Sequence, residues 1–125
     1  MRTIMNSDDV MGGSTTFTMI STTQRFHDEN PKTYGAFVAA LKDAQGMIAA
    51  NPREAATVLL ASMGGRGVTV DELLSIMADP GTKYTIVPEN VLKYAHFMHE
   101  IGSLRRDPNS IADLFIPDPD TVRGN

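Results

Sequence analysis

A chain of 125 residues is long enough for one domain around one modest core and too short for two. Hydrophobic residues make up 42% and charged residues 21%, an ordinary globular mix, and 11 basic against 15 acidic side chains leave a net charge of −4. That balance disfavours nonspecific nucleic-acid and anionic-membrane binding, which need a positive field, and the lack of cysteine excludes disulfides, thiolate metal sites and a cysteine nucleophile.

In chain order, residues 1–6 are extended in character, with Ile4 and Met5 as the apolar pair. Asn6 to Asp9 supply turn chemistry, and Gly12-Gly13 is a second flexible point. The segment MRTIMNSDDVMGGS lacks a signal peptide's basic-then-apolar order, because Asp8 and Asp9 interrupt it. As written, the polypeptide is expected to stay in the cytoplasm. Thr15 to Thr23 is dense in β-branched and aromatic residues, with Phe17, Met19 and Ser21 alternating against Thr16, Thr18, Ile20 and Thr22, a strand pattern.

Two consecutive helices follow, each started by an Asn-Pro pair. Asn30 is the expected N-cap of the first, and Pro31 sits where its missing N–H costs nothing. Tyr34, Phe37, Val38, Leu41, Ala44 and Ile48 share one face of it. Asn51-Pro52 ends this helix and starts the next, with Glu54 completing a capping-box-like pattern, until Gly64-Gly65-Arg66-Gly67 breaks it. Thr69 to Glu72 is a capping box that opens a helix carrying Val70, Leu73, Leu74 and Met77, closed by Asp79-Pro80-Gly81. Tyr84 to Val87 reads as a short extended piece. From Glu89 a helix is expected to run to Ile101, with Gly102 as its C-cap and Val91, Tyr94, Ala95, Met98 and Ile101 as its buried stripe. Ser110 caps a last short turn. The expectation is a single, partial α/β domain over 1–117, dominated by helices and carrying a few short strands, with 118–125 as a disordered tail.

The residues with most to offer a ligand are Gly12, Gly13, Ser14, Thr15 and Thr16. Glycines let the backbone approach a small anion, and the hydroxyls can donate to sulfonate, nitrate or carboxylate oxygens. The alternative is a flexible turn leading into a Thr-rich strand. Gly64 to Gly67 follows a helix, whereas a phosphate cradle should follow a strand, so it reads as a linker. His96 and His99 lie three apart with Glu100 beside them, yet no third ligand is evident, and no metal is expected. No Gly-x-Ser-x-Gly elbow or Ser–His pairing supports a nucleophile, so no catalytic residue and no cofactor are expected.

The order of several short stretches carries a resemblance. These are SDDVMGGSTTF at 7–17, FHDENPKTY at 26–34, AFVAAL at 36–41, NPREAA at 51–56, KYAHFM at 93–98 after Pro88, Pro108, and DLF at 113–115. Together they resemble the C-terminal part of the nitrate/sulfonate/taurine-type substrate-binding proteins of ABC importers, in the type II periplasmic binding protein superfamily. The resemblance implies two α/β lobes closing about a hinge on a small anionic solute, then docking on a membrane permease. It implies a periplasmic location and a missing N-terminal lobe holding most of the anion-binding residues. Only Gly12 to Thr16 would then lie near the cleft, with the helices from Pro31 onward as scaffold. The same superfamily includes pyrimidine-precursor synthases of thiamine biosynthesis, which depend on a cysteine-rich motif that this chain lacks. A helical interaction module, or a remnant without ligand, stays open beside the transport reading.

Overall fold

The computed structural model describes residues 4–119 and 121–125, and of Val122 only the backbone. Residues 1–3, part of the extended N-terminal piece expected from the sequence, lie outside the described residues, as does Asp120 within the tail. Among the described residues six α-helices follow in chain order: α1 (Ser7–Met11), α2 (Gln24–Glu29), α3 (Pro31–Ala50), α4 (Pro52–Ser62), α5 (Val70–Met77) and α6 (Val91–Glu100). Short 3-10 turns lie at Ile111–Asp113 and Thr121–Arg123. No described helix is long and apolar enough to cross a membrane.

The helix-dominated expectation matches these elements. The few short strands do not appear, since none is present among the described residues. The pieces over 15–23 and 84–87 carry no regular structure. A strand exists only through a partner ladder, and β-branched composition alone does not provide one. The chain also divides into two compact units, one comprising Met1–Asp28 with Ile86–Asn125, the other Glu29–Thr85.

The unit Glu29–Thr85 is built from neighbours in sequence. Pro31 opens α3 at its first turn, although Asn30 makes no side-chain cap bond. Pro52 removes an amide and forbids continuation, so α3 ends and α4 begins on Asn51, again without a side-chain cap. α4 packs against both α3 and α5, burying Ala55, Ala56 and Leu73. The capping box of α5 forms as its sequence dictates: Thr69 Oγ1 accepts the Glu72 N–H at 3.2 Å, and the Thr69 N–H donates to Glu72 Oε2 at 2.7 Å. These bonds hold the Glu72 carboxyl below its ordinary value, the backbone N–H of Thr69 being the larger cause and its hydroxyl the second. The Arg53 guanidinium donates to Asp71 at 2.9 Å, tying the first turns of α4 and α5, but both side chains are well exposed. Gly64 to Gly67 link α4 to α5.

The other unit is assembled from segments far apart in sequence around α6, whose Val91 and Ala95 are buried. Phe17 sets its ring edge-on to Tyr94, with centroids 5.6 Å apart. α6 starts two residues later than its sequence suggests, because Asn90 takes a left-handed φ of 52°. It closes with Gly102 donating to the His99 carbonyl and Ser103 to that of Met98, the paired bonds of a Schellman end. Residues 121–125, part of the expected disordered tail, return to the start of α6. The Asn125 backbone oxygen accepts the Val91 N–H at 2.7 Å, its side-chain oxygen accepts the Asn90 N–H at 2.8 Å, and its own N–H donates to the Pro88 carbonyl at 3.3 Å. Gly124 permits this approach, since a Cβ there would fall 2.6 Å from the Pro88 carbonyl oxygen.

Candidate loop site at the start of α6

The loop Gly12 to Thr16 is placed by the end of α1. Asn6 and Asp9 form a reciprocal capping box at 2.8 and 3.1 Å, fixing the helix start. Gly12 then ends α1 in the left-handed region at φ 76°, which a residue with a Cβ occupies at a cost. Both Gly12 and Gly13 donate their N–H groups to the Asp8 carbonyl, at 2.8 and 2.9 Å. Their amides are therefore committed to ending the helix and are not open to a ligand.

The three hydroxyl residues have different surroundings. Thr15 Oγ1 donates to the Gly13 carbonyl at 3.2 Å. Thr16 exchanges two bonds with Glu89: its N–H donates to the Glu89 carbonyl at 2.9 Å, and its Oγ1 accepts the Glu89 N–H at 3.1 Å. Ser14 gives only its carbonyl, to Asn90 Nδ2 at 2.9 Å. Its hydroxyl, its N–H and the Thr15 N–H have no partner among the described residues. Ser14 lines an open depression of about 420 Å³ with Pro88, Glu89, Asn90, Arg123 and Asn125.

Two residues that sequence reasoning did not single out complete the arrangement. Lys93 donates from Nζ to the Met11 carbonyl at 2.5 Å, and its ammonium would sit 3.4 Å from a Cβ on Gly12. It therefore brings a positive charge to the loop with two further N–H donors in hand. Asn90 joins the loop, α6 and Asn125 through three separate bonds. An asparagine immediately before VLKYAHF is a visible helix-start signal, and Lys93 follows at i+3, so both were detectable once the helix was started at Val91 instead of Glu89. Lys93 also borders a second open depression of about 550 Å³, with Leu92, His96, Phe97 and Glu100, which shares Asn90 and Asn125 with the first.

The histidines of α6 are engaged separately. His96 Nδ1 lies 2.5 Å from Asp107 Oδ1, and His99 Nδ1 lies 3.0 Å from the Leu104 carbonyl. Both contacts fold residues 101–110 back on the helix, and among the described residues no three potential ligands could hold a metal ion. The loop and its neighbours can thus offer a few hydrogen-bond donors and one ammonium to a small anion.

No protein-family model matches the chain, and comparison with curated proteins and with solved structures finds no similar one.

Proposed function

We propose that this chain is the C-terminal part of a two-lobed solute-binding component of an ABC importer, and that its loop Gly12 to Thr16 contributes to gripping a small anion. The single observation that carries the reading is the Lys93 ammonium bonded to the Met11 carbonyl just before the loop, whose Ser14 and Thr15 keep donors unpaired among the described residues. Charge-assisted bonds from such donors are the strong ones, and a sulfonate or nitrate offers three equivalent oxygens to them. The resemblance in the ordering of SDDVMGGSTTF, NPKTY and KYAHFM supports the same assignment. In this reading the cleft is completed by an N-terminal lobe, the closed form meets a membrane permease, and the protein works in the periplasm. There is no catalytic step and no nucleic-acid partner.

One lobe's share of a cleft binds weakly, so the test is residue-resolved NMR with methanesulfonate, taurine or nitrate at about 10 mM, matched to chloride at equal ionic strength. Shifts concentrated on Ser14, Thr15 and Lys93, and lost in S14A and K93M, are the expected result. Small shifts spread over all exposed amides, unchanged in K93M, would sink it.

A second reading, an interaction module without a ligand, is favoured by one observation. Phe17, Ile20, Phe37, Val58, Met63, Ile76 and Phe97 each expose about half or more of their surface, apolar area that a partner could cover.

A further inference from the structure

One face of α6 carries opposite charges two turns apart. Lys93 and Glu100 are separated by about 10 Å along the axis, with Phe97 between them as a helical neighbour of both. All three border the open depression of about 550 Å³, as does Asn125. Helix neighbours pair at i+3 or i+4, so these two charges, seven positions apart, do not satisfy each other. Lys93 keeps two N–H donors beyond its bond to Met11. Glu100 is exposed, and its carboxylate has no partner among the described residues. Asp107 is already engaged by His96, so Glu100 is the acid that the depression offers. Asn125 uses Oδ1 on the Asn90 N–H and leaves its Nδ2 donors unpaired among the described residues. Phe97 exposes 50% of its surface between the two charged ends.

We propose that this face of α6 binds an elongated zwitterion, a small ω-amino acid. Its carboxylate lies on Lys93 and Asn125, its methylene chain on Phe97, and its ammonium on Glu100. The phenyl ring also attracts the ammonium electrostatically. The proposal deepens the solute-binding reading, rests on it for the anion grip at Lys93, and names the class of solute. A simple anion such as nitrate uses one end of the depression alone. A dicarboxylate of the same length brings a like charge to Glu100 and is rejected, so the acid supplies selectivity by repulsion as well as attraction.

NMR titrations of the whole chain at constant ionic strength test it, with 6-aminohexanoate, hexanoate, adipate and the shorter β-alanine as probes. In the native chain 6-aminohexanoate should shift Lys93, Phe97 and Glu100, and bind about fivefold tighter than hexanoate, the scale of one exposed ionic contact helped by an aromatic ring. Adipate should bind more weakly than hexanoate, and β-alanine, too short to reach both charges, should gain nothing from its ammonium. E100Q should bring 6-aminohexanoate down to hexanoate. E100K should invert the preference, so that adipate binds tighter than 6-aminohexanoate, which a merely structural role for Glu100 would not produce. The lysine is well tolerated at the C-terminal end of a helix, so the variant keeps its fold.

Equal binding of 6-aminohexanoate and hexanoate overturns the proposal, and so does a preference that survives in E100Q or E100K. Either result leaves the small-anion reading standing if methanesulfonate still shifts Ser14 and Thr15. The reverse pattern, 6-aminohexanoate seated between Lys93 and Glu100 while methanesulfonate leaves Ser14 and Thr15 unmoved, keeps the zwitterion site and sinks the loop's share. No shift with any probe overturns both.

Discussion

The two units reach order by different means. In Glu29–Thr85, every helix boundary coincides with a signal within a few residues of it: Pro31, Pro52, the Gly64 to Gly67 break, and the Thr69–Glu72 box. Its helices α3, α4 and α5 then pack on their sequence neighbours. The unit around α6 instead depends on bonds between distant segments, such as Thr16 with Glu89, Ser14 with Asn90, Met11 with Lys93 and Pro88 with Asn125. Among the described residues its buried side chains are Pro88, Val91, Ala95 and Pro108, all small, so polar bonds carry more of the organisation there. Local signals create helices, whereas the surfaces that could meet a ligand arise where remote segments are brought together.

The sharpest way to break this contrast is L73A. Leu73 is 5% exposed and is the largest side chain in the buried set of Glu29–Thr85. Removing it should cost about 2–4 kcal/mol, close to the whole stability of so small a unit. Hydrogen exchange should show α4 and α5 losing protection while α6 keeps its own; equal loss in α6 would mean the two units unfold as one. A smaller, mirror-image effect is expected of G124A. The added methyl meets the Pro88 ring and carbonyl, so residues 121–125 must leave the start of α6, at about 1–2 kcal/mol. The amides of Asn90 and Val91, which Asn125 oxygens accept, should then exchange faster, with α5 unaffected. Unchanged exchange at both would show that the tail does not hold α6.

What was legible in the sequence follows the same division. The span of α3, its hand-over to α4 at Asn51-Pro52 and the capping of α5 could be read because each is decided by nearby residues. The strand expected over Thr15 to Thr23 could not be settled that way, because its composition invites pairing but the partner must come from elsewhere. The loop itself was recognisable from Gly12, Gly13 and the hydroxyls after them. Its internal assignments were not: the glycine amides serve the end of α1, Thr16 serves Glu89, and Ser14 keeps its hydroxyl unpaired. Lys93, 82 positions from Met11, becomes part of the site only through folding, which no local pattern encodes.

The smallest expected effect probes local encoding at its most explicit, in the Thr69–Glu72 box. T69A removes the hydroxyl that accepts the Glu72 N–H, and the loss of such a cap costs about 1 kcal/mol, confined to α5. The carboxyl responds as well, and in a graded way. Its value is depressed first by the Thr69 backbone N–H, which alanine keeps, and second by the hydroxyl, which alanine lacks. An NMR titration of T69A should therefore find Glu72 moved up only part of the way to its ordinary range. Because the folded value lies below the unfolded one, the box stabilises α5 above the unfolded value and is lost as pH falls through the folded one. In the native chain the amides of Thr69 and Glu72 should thus exchange faster only below the usual glutamate range of about 4.3. A Glu72 that titrates identically in both proteins would mean that the backbone amide alone holds the carboxylate, and that the threonine acts on the helix without acting on the charge.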